Sequence, residues 1–163
     1  MNSRREPPPW IKLDRIDWRI LQELQADGRV TNVELAKRVG ISAPPCLRRV
    51  RALEKAGFIL GYSARLNARL LGFDLEAYAM VRLNSQAEAD LMAFEKLARS
   101  WPFVRECAML SGDVDFLLKC VAPDLKAFQN FVIRDLTAAP NVDNVRTALA
   151  IRMTKQDMGL PLD

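Results

Sequence analysis

The chain has 163 residues, 50% of them hydrophobic and 27% charged, and a formal net charge of +4. This is ordinary globular composition, enough for one domain or two small ones, and its longest apolar runs are far too short to span a bilayer. With no histidine in the sequence, Ser-His-Asp and Cys-His catalysis and every imidazole-containing metal site are excluded, and no Gly-rich phosphate loop is present.

The opening MNSRREPPPW has no apolar core of the kind a signal peptide carries; residues 1–12 read as a mobile, Pro-rich basic tail able to contact DNA backbone. Leu13 to Ala26 is expected as a helix with Leu13, Ile16, Ile20, Leu21 and Leu24 on one face, ended by Asp27-Gly28. Trp18 falls off that face and is placed under the tail near Trp10 or at a subunit contact. Thr31 followed by Glu34 forms a capping-box pattern for a second helix that Gly40 breaks. Ser42 is the next N-cap, Pro44 and Pro45 occupy a first turn that tolerates missing N–H groups, and Gly57 ends the third helix. Two short helices joined by a Gly turn present the second of them, residues 42–56, to a DNA major groove.

That recognition helix has two faces. At 100° per residue Cys46, Leu47, Val50 and Leu53 point one way, and Pro44, Arg48, Arg51 and Lys55 the other, with Arg49 on a flank. Arginine suits such a face because its planar fork reads guanine and clamps phosphate. The expected DNA-contacting set is Thr31, Asn32, Ser42, Pro44, Arg48, Arg49, Arg51 and Lys55. Charge agrees with this. Residues 1–67 hold 13 Lys and Arg against 7 Asp and Glu, a net of +6; residues 68–163 hold 11 against 13, a net of −2. Only the first part is expected to touch double-stranded DNA, with an affinity that falls steeply with salt.

After Gly57, FILGYSARLN alternates as a strand or short hairpin would, which makes residues 13–67 a winged helix-turn-helix; residues 68–74 read as a hinge. From Phe73 the pattern changes. Leu75, Ala77, Ala79, Val81 and Leu83 alternate with Glu76, Tyr78, Met80 and Arg82 as a strand. Glu88–Trp101 follows as a helix stopped by Pro102, then Phe103–Leu110 as a strand, a Ser111-Gly112-Asp113 turn, and Val114–Val121 as a third strand. Pro123–Ala138 is expected as a helix and Val142–Thr154 as a long fourth strand, with residues 156–163 a C-terminal tail. The order is the β-α-β-β-α-β split of a ferredoxin-like sandwich, spanning 75–155, so the fold class is α+β.

The sheet reads as apolar on both sides: Val114, Phe116, Leu118 and Cys120 share one face and Leu117 and Val121 the other, with Tyr78, Met80, Ala148 and Ala150 showing the same two-sidedness. Two helices cover one face only. The second is expected to pack on a second copy as an isologous dimer, which also offers two recognition helices to a pseudo-palindrome. Cys46, Cys107 and Cys120 are odd in number, widely spaced and set in apolar patterns. They read as buried small hydrophobes in a reducing compartment, with the cytoplasm as the default location.

The runs LDRIDWRILQELQADGRVTNVELAKRVGIS and PCLRRVRALEKAGFILGYSARLN resemble the DNA-binding half of the leucine-responsive regulatory protein/AsnC family. LSGDVDFLLKCVAPDLKAF and PNVDNVRT resemble its effector-sensing half; the likeness covers Leu13 to about Lys155. It implies a cytoplasmic, nucleoid-associated transcription regulator with no membrane attachment, dimerising through its C-terminal domains. It also implies assembly into octamers or similar rings, and sensing of a small effector, an amino acid such as leucine, at a contact between dimers. No cofactor or metal is implied.

An amino acid's ammonium needs an acidic or carbonyl acceptor and its carboxylate needs donors, and Ser111-Gly112-Asp113 with Asp115 supplies both kinds. Gly112 admits a close approach to the backbone, and Leu110, Leu125 and Ala148-Leu149-Ala150 are expected as apolar walls. Taken without the family, Ser-Gly-Asp is equally a plain hairpin turn. Three departures from the family stand out: Ser42-Ala43-Pro44-Pro45 in place of a hydroxyl-bearing start, Arg48 where an acid is common, and a small Ala148-Leu149-Ala150 run. The alternative to an effector-responsive regulator is an effector-blind, architectural DNA binder. An amino-acid-metabolising enzyme fused to a DNA-binding domain is disfavoured by the missing histidines and cofactor loops.

Overall fold

The first helix begins where Asp14 can serve two donors at once. In the computed structural model, which describes residues 12–156 and 159–162, α1 spans Arg15–Ala26. The Asp14 carboxylate accepts from the amides of Ile16 and Asp17 at 2.8 and 2.9 Å, and the Asp17 carboxylate accepts from the Asp14 amide at 3.1 Å. The full reciprocal capping box therefore lies here. At Thr31, which starts α2 (Asn32–Val39), only half of one forms: the hydroxyl accepts from the Glu34 amide, while the Glu34 carboxylate turns to Lys37 and Arg38.

Gly40 at φ 77° closes α2, letting the Ile41 amide reach back to the Ala36 carbonyl. Only glycine adopts that backbone without cost. The next helix, α3, spans Ala43–Lys55 and ends in the same way, with Gly57 at φ 80° and the Phe58 amide bonded to the Leu53 carbonyl. Ser42 precedes α3 without a side-chain capping bond. Ile20, Leu35, Ala36, Val39, Cys46, Val50 and Leu53 form the buried core of these three helices.

Residues 58–67, expected as a strand or short hairpin, carry no ladder. Phe58 and Ile59 pack against the helical core, and beyond them Leu60 is 97% exposed. Alternation marks an extended segment, but backbone pairing needs a second edge, and the described residues of this unit offer none. Residues up to Arg65 form one unit together with the C-terminal residues 159–162; Leu66–Gln156 form the other. The expected hinge at 68–74 belongs to the second unit. It holds a single 3-10 turn, Arg69–Leu71, and the Asp74 amide bonds to the Pro123 carbonyl.

The second unit contains β1 (Leu75–Leu83), α4 (Glu88–Ser100), β2 (Val104–Met109), β3 (Phe116–Ala122), α5 (Leu125–Phe131) and β4 (Val142–Leu149). All pairings are antiparallel, in the order β2-β3-β1-β4, the ferredoxin-like arrangement the sequence implies. Alternate residues of β1 and β3 (Ala77, Ala79, Val81, Leu83; Phe116, Leu118, Cys120, Ala122) are buried with Phe94, Ala98, Phe128, Phe131 and Leu136 from the helices. Trp101 adopts an extended backbone before Pro102, which ends α4.

Two elements differ from expectation. The helix after β3 does not run unbroken to Ala138: α5 passes into a π-turn, Val132–Leu136, with the Thr137 amide bonded to the Val132 carbonyl. After Phe128 and Phe131 an α-helical frame would next present Asp135 to the core. The wider turn advances the frame, so Leu136 is buried and Asp135 stays exposed. The fourth strand stops at Leu149, five residues short of the expected end: its ladder with β1 ends at the Ala77–Leu149 pair, followed by one further bond from the Ala150 amide to the Glu76 carbonyl.

The outer face of the sheet is not uniformly apolar. Tyr78, Met80, Leu117 and Val121 are half-buried there, but Lys119 lies among them, 3.1 Å from Glu76 and 3.6 Å from Glu106. Of the cysteines, Cys46 and Cys120 are buried as expected, whereas Cys107 is exposed because β2 is an edge strand.

Replacing Leu136, fully buried in the π-turn, by Ala should cost about 2–5 kcal/mol in urea unfolding. A loss under about 1 kcal/mol would show that the frame advance does not serve to bury this side chain.

Candidate nucleic-acid interface and effector site

Burial of Cys46, Val50 and Leu53 fixes which side of α3 faces outward. Arg48, Arg51 and Lys55 are exposed, and none has a hydrogen bond or ion pair within the described residues. Three unpaired cations on one side of a recognition helix are free for phosphate oxygens and base edges. Thr31, Asn32, Ser42 and Pro44 are exposed as well, at the start of α2 and the start of α3.

Arg49 does not belong with them. Its guanidinium Nη1 donates to Asp14 at 2.8 Å and to Asp17 at 2.8 Å, tying α3 to the capping box of α1. The hydrogen bond from the Asp17 amide, with Arg49 beside it, holds the Asp14 carboxyl below its usual value. Arg49 is raised by Asp17 and then Asp14. Its position on the flank of the helix, readable from the sequence, is what brings it within reach of Asp14 and Asp17. A depressed carboxyl contributes stability above its unfolded value, 3.8, that is lost as pH falls through the lower folded value.

The residues expected to hold an effector fall into two groups. The Ser111-Gly112-Asp113 turn is exposed, with Gly112 at φ 144°, and Leu110 is tied to Asp115 by a backbone bond of 2.8 Å. This turn sits beyond Phe116, which pairs with Val81. Ala148 and Leu149 pair with Tyr78 and Ala77, and the Ala150 amide bonds to the Glu76 carbonyl at 2.9 Å. Leu125 follows Ala122, which pairs with Leu75. Val81 and Ala77 are four residues apart on β1, about 13 Å at the rise of a strand. One chain therefore does not bring the turn and the apolar walls into a single pocket.

Asp115 is also displaced from its expected role. It is only 6% exposed, and both oxygens are engaged: Oδ2 accepts from the Leu83 amide at 2.7 Å and Oδ1 from the Gln86 side chain at 2.8 Å. It closes the end of β1 instead of facing a ligand. No group of carboxylates and thiols among the described residues is arranged to hold a metal. Burial pushes the Cys120 thiol up to about 11, so it stays protonated and unreactive.

A helix-turn-helix with a free cationic face, followed by a ferredoxin-like sandwich with an exposed turn, defines a two-part DNA-binding regulator. Comparison with known proteins agrees. Residues 13–59 match the winged helix-turn-helix DNA-binding family model and residues 76–160 the Lrp/AsnC ligand binding domain. The chain is 63% identical to the leucine-responsive regulatory protein of Rhizobium meliloti (strain 1021) over 145 residues, 89% of this chain and 93% of that one. It is 43% identical to the protein of the same name from Escherichia coli (strain K12), over 91% of this chain and 90% of that one. A Neisseria meningitidis transcriptional regulator, solved as an L-Met complex, superposes with a TM-score of 0.89 at 37% identity, covering 93% of this chain and 98% of the other. An AsnC family transcriptional regulator from Agrobacterium tumefaciens gives 0.87 at 33%, covering 92% and 97%. The chain belongs to the Lrp/AsnC family: it is a DNA-binding transcription regulator with an effector-binding domain, not an enzyme.

Two substitutions separate the arginines. Arg48→Glu should weaken DNA binding and flatten the dependence of log Kd on log salt by about one phosphate contact or more. Arg49→Ala should instead lower the melting temperature without DNA present; equal melting temperatures for the Arg49→Ala and wild-type chains would return Arg49 to the DNA-facing set. Asp115→Ala, which orphans the Leu83 amide, should cost about 1–3 kcal/mol of stability in the absence of any amino acid.

Proposed function

We propose that this chain is an amino-acid-responsive regulator that binds double-stranded DNA as a dimer or higher assembly. The DNA-contacting residues are Thr31, Asn32, Ser42, Pro44, Arg48, Arg51 and Lys55, with Arg49 holding their helix in place. The observation that carries the DNA contact is the set of exposed, unpaired cations opposite the buried side of α3. Pro44 carries no hydroxyl and neither Pro44 nor Pro45 has an N–H to give a phosphate or base, so contacts shift toward arginine and the preferred operator shifts with them.

The outer sheet face is the proposed dimer contact. Tyr78, Met80, Leu117 and Val121 supply apolar area, and the Glu76–Lys119–Glu106 cluster fixes which way two such faces meet. The effector site forms where the 110–113 turn of one copy meets Leu125 and the 148–150 segment of another. The separation of these two groups within one chain supports this reading, as does the likeness to a regulator solved with L-Met. Leucine is one candidate effector; methionine, the ligand of the Neisseria meningitidis regulator that superposes on this chain, is another. Assembly into an octamer or similar ring brings such contacts together, and the cytoplasm, on the nucleoid, is where it acts.

A thermal-shift screen of the full chain against the twenty amino acids tests the effector. A ligand at about a hundred times its Kd stabilises the folded state by roughly 2.7 kcal/mol. Asp113→Ala and Leu149→Asp should each abolish the shift, and an equimolar mixture refolded together should recover part of it, since some sites then combine an intact turn with an intact wall. No recovery on mixing contradicts a site shared between copies. No shift with any amino acid contradicts the effector assignment and favours an architectural DNA binder.

A further inference from the structure

Residues 111–114 form the turn between β2 and β3, yet among the described residues none of them makes a hydrogen bond. The turn is held by its ends. The Leu110 amide donates to the Asp115 carbonyl at 2.8 Å, closing the loop beyond Met109 and Phe116, the last pair of the β2–β3 ladder. Asp115 is fixed in turn from β1 and the connection after it. Its amide donates to the Val81 carbonyl at 2.9 Å, and its carboxylate accepts from the Leu83 amide at 2.7 Å and from Gln86 Nε2 at 2.8 Å. Every bond that fixes the turn therefore passes through Asp115. Among its partners in the described residues, Gln86 is the one that acts through a side chain, so it is the one that substitution can remove.

Gln86 lies in the connection between β1 and α4, and its backbone is held on both sides. Asn141, in the left-handed region at φ 66°, accepts from the Asn84 amide with its carbonyl at 2.8 Å. Its side chain brackets Ser85: Oδ1 accepts from the Ser85 amide and Nδ2 donates to the Ser85 carbonyl, each at 2.9 Å. Ser85 Oγ accepts from the Ala87 amide at 3.3 Å and donates to the Asp90 carboxylate of α4. A side chain on a fixed backbone loses less freedom when it binds, which leaves more of its bond to hold the turn. Gln86 is exposed and Asp115 buried, so the amide reaches inward from the surface and takes no part in the apolar core.

We propose that Gln86 is a positioning residue for the effector turn. Through Asp115 it holds residues 111–113 in the form that takes a ligand's ammonium and carboxylate, and so sets ligand affinity without touching the ligand. This rests on the effector reading above in one respect, that the 111–113 turn meets the ligand.

Gln86→Ala, Gln86→Glu and Gln86→Lys test this in the full chain. The ligand is whichever of the twenty amino acids raises the melting temperature most, and its Kd is measured by calorimetry. Gln86→Ala should raise that Kd about tenfold, the order that one hydrogen bond to a carboxylate supplies. Gln86→Glu sets a second carboxylate against Asp115 and should raise it further. Gln86→Lys keeps a donor facing Asp115 and should bring Kd back to within about threefold of the wild-type value. The ligand-free melting temperature of Gln86→Ala and Gln86→Lys should stay within about 2 °C of wild type, because the side chain is exposed. A Kd within about twofold of wild type in both Gln86→Ala and Gln86→Glu overturns the proposal. So does a loss of affinity in Gln86→Ala that accompanies a fallen melting temperature and that Gln86→Lys does not reverse. Amide hydrogen exchange separates this from failure of the effector reading. The Leu83 and Leu110 amides, both bonded to Asp115, should exchange about tenfold faster in Gln86→Ala and recover in Gln86→Lys, with the Leu118 amide of β3 unchanged. Should no amino acid raise the melting temperature of any form, the effector reading fails alone. The hold of Gln86 on the turn then stands if exchange changes in this way, and falls if Leu83 and Leu110 exchange as in wild type.

Discussion

A helix with one buried side has its other side chosen for it, and that constraint governs the DNA-binding unit. Once Cys46, Val50 and Leu53 close the core against Ile20, Leu35 and Val39, the positions a half-turn away must face water. Arg48, Arg51 and Lys55 occupy those positions, and no carboxylate among the described residues is bonded to them. The unit does have carboxylates within reach of α3, but Asp14 and Asp17 are spent on Arg49, the one arginine on the flank. The division of labour is therefore spatial. The flank arginine ties α3 to α1, and the outward arginines have no partner among the described residues.

An equally simple constraint governs the sandwich. In an antiparallel sheet of this order, the β2–β3 turn lies beside the end of β1 and the last residues of β4 lie beside its beginning. Donors and acceptors at 111–113 and apolar walls at 148–150 are thus held apart by the same ladder that stabilises them. On the proposed reading a ligand needing both is met by more than one copy, and ligand binding and assembly are then parts of one equilibrium. Effector control of a regulator then requires no moving part inside the sandwich.

Much of this was legible in the sequence because periodicity reports burial directly. The alternation of β1, the stripe on α3 and the glycines at 40 and 57 all appear where the pattern puts them. The same pattern placed Arg49 on a flank. What it lacked was the partner, since an Asp-x-x-Asp capping box thirty-odd residues upstream looks like an ordinary helix start until the helices are packed. Asp115 was misread for a related reason. Next to Ser-Gly-Asp it looks like one more ligand group, and only the register with β1 shows that the Leu83 amide has claimed it. The wing, the unbroken second helix of the sandwich and the long fourth strand were expected from local alternation or helical spacing. Each depends on something local pattern does not contain: a second edge to pair with, a core that prefers Leu136 over Asp135, and the point at which the ladder between β1 and β4 ends.

The most direct measurement is a nuclease footprint of the full-length protein on the DNA upstream of its own gene, with and without each of the twenty amino acids. A responsive regulator gives discrete protected stretches, phased at about one helical turn or multiples of it, and at least one amino acid changes their extent or the protein concentration at which they appear. Uniform, unphased coverage that no amino acid alters would contradict the account and leave a DNA-compacting protein in its place.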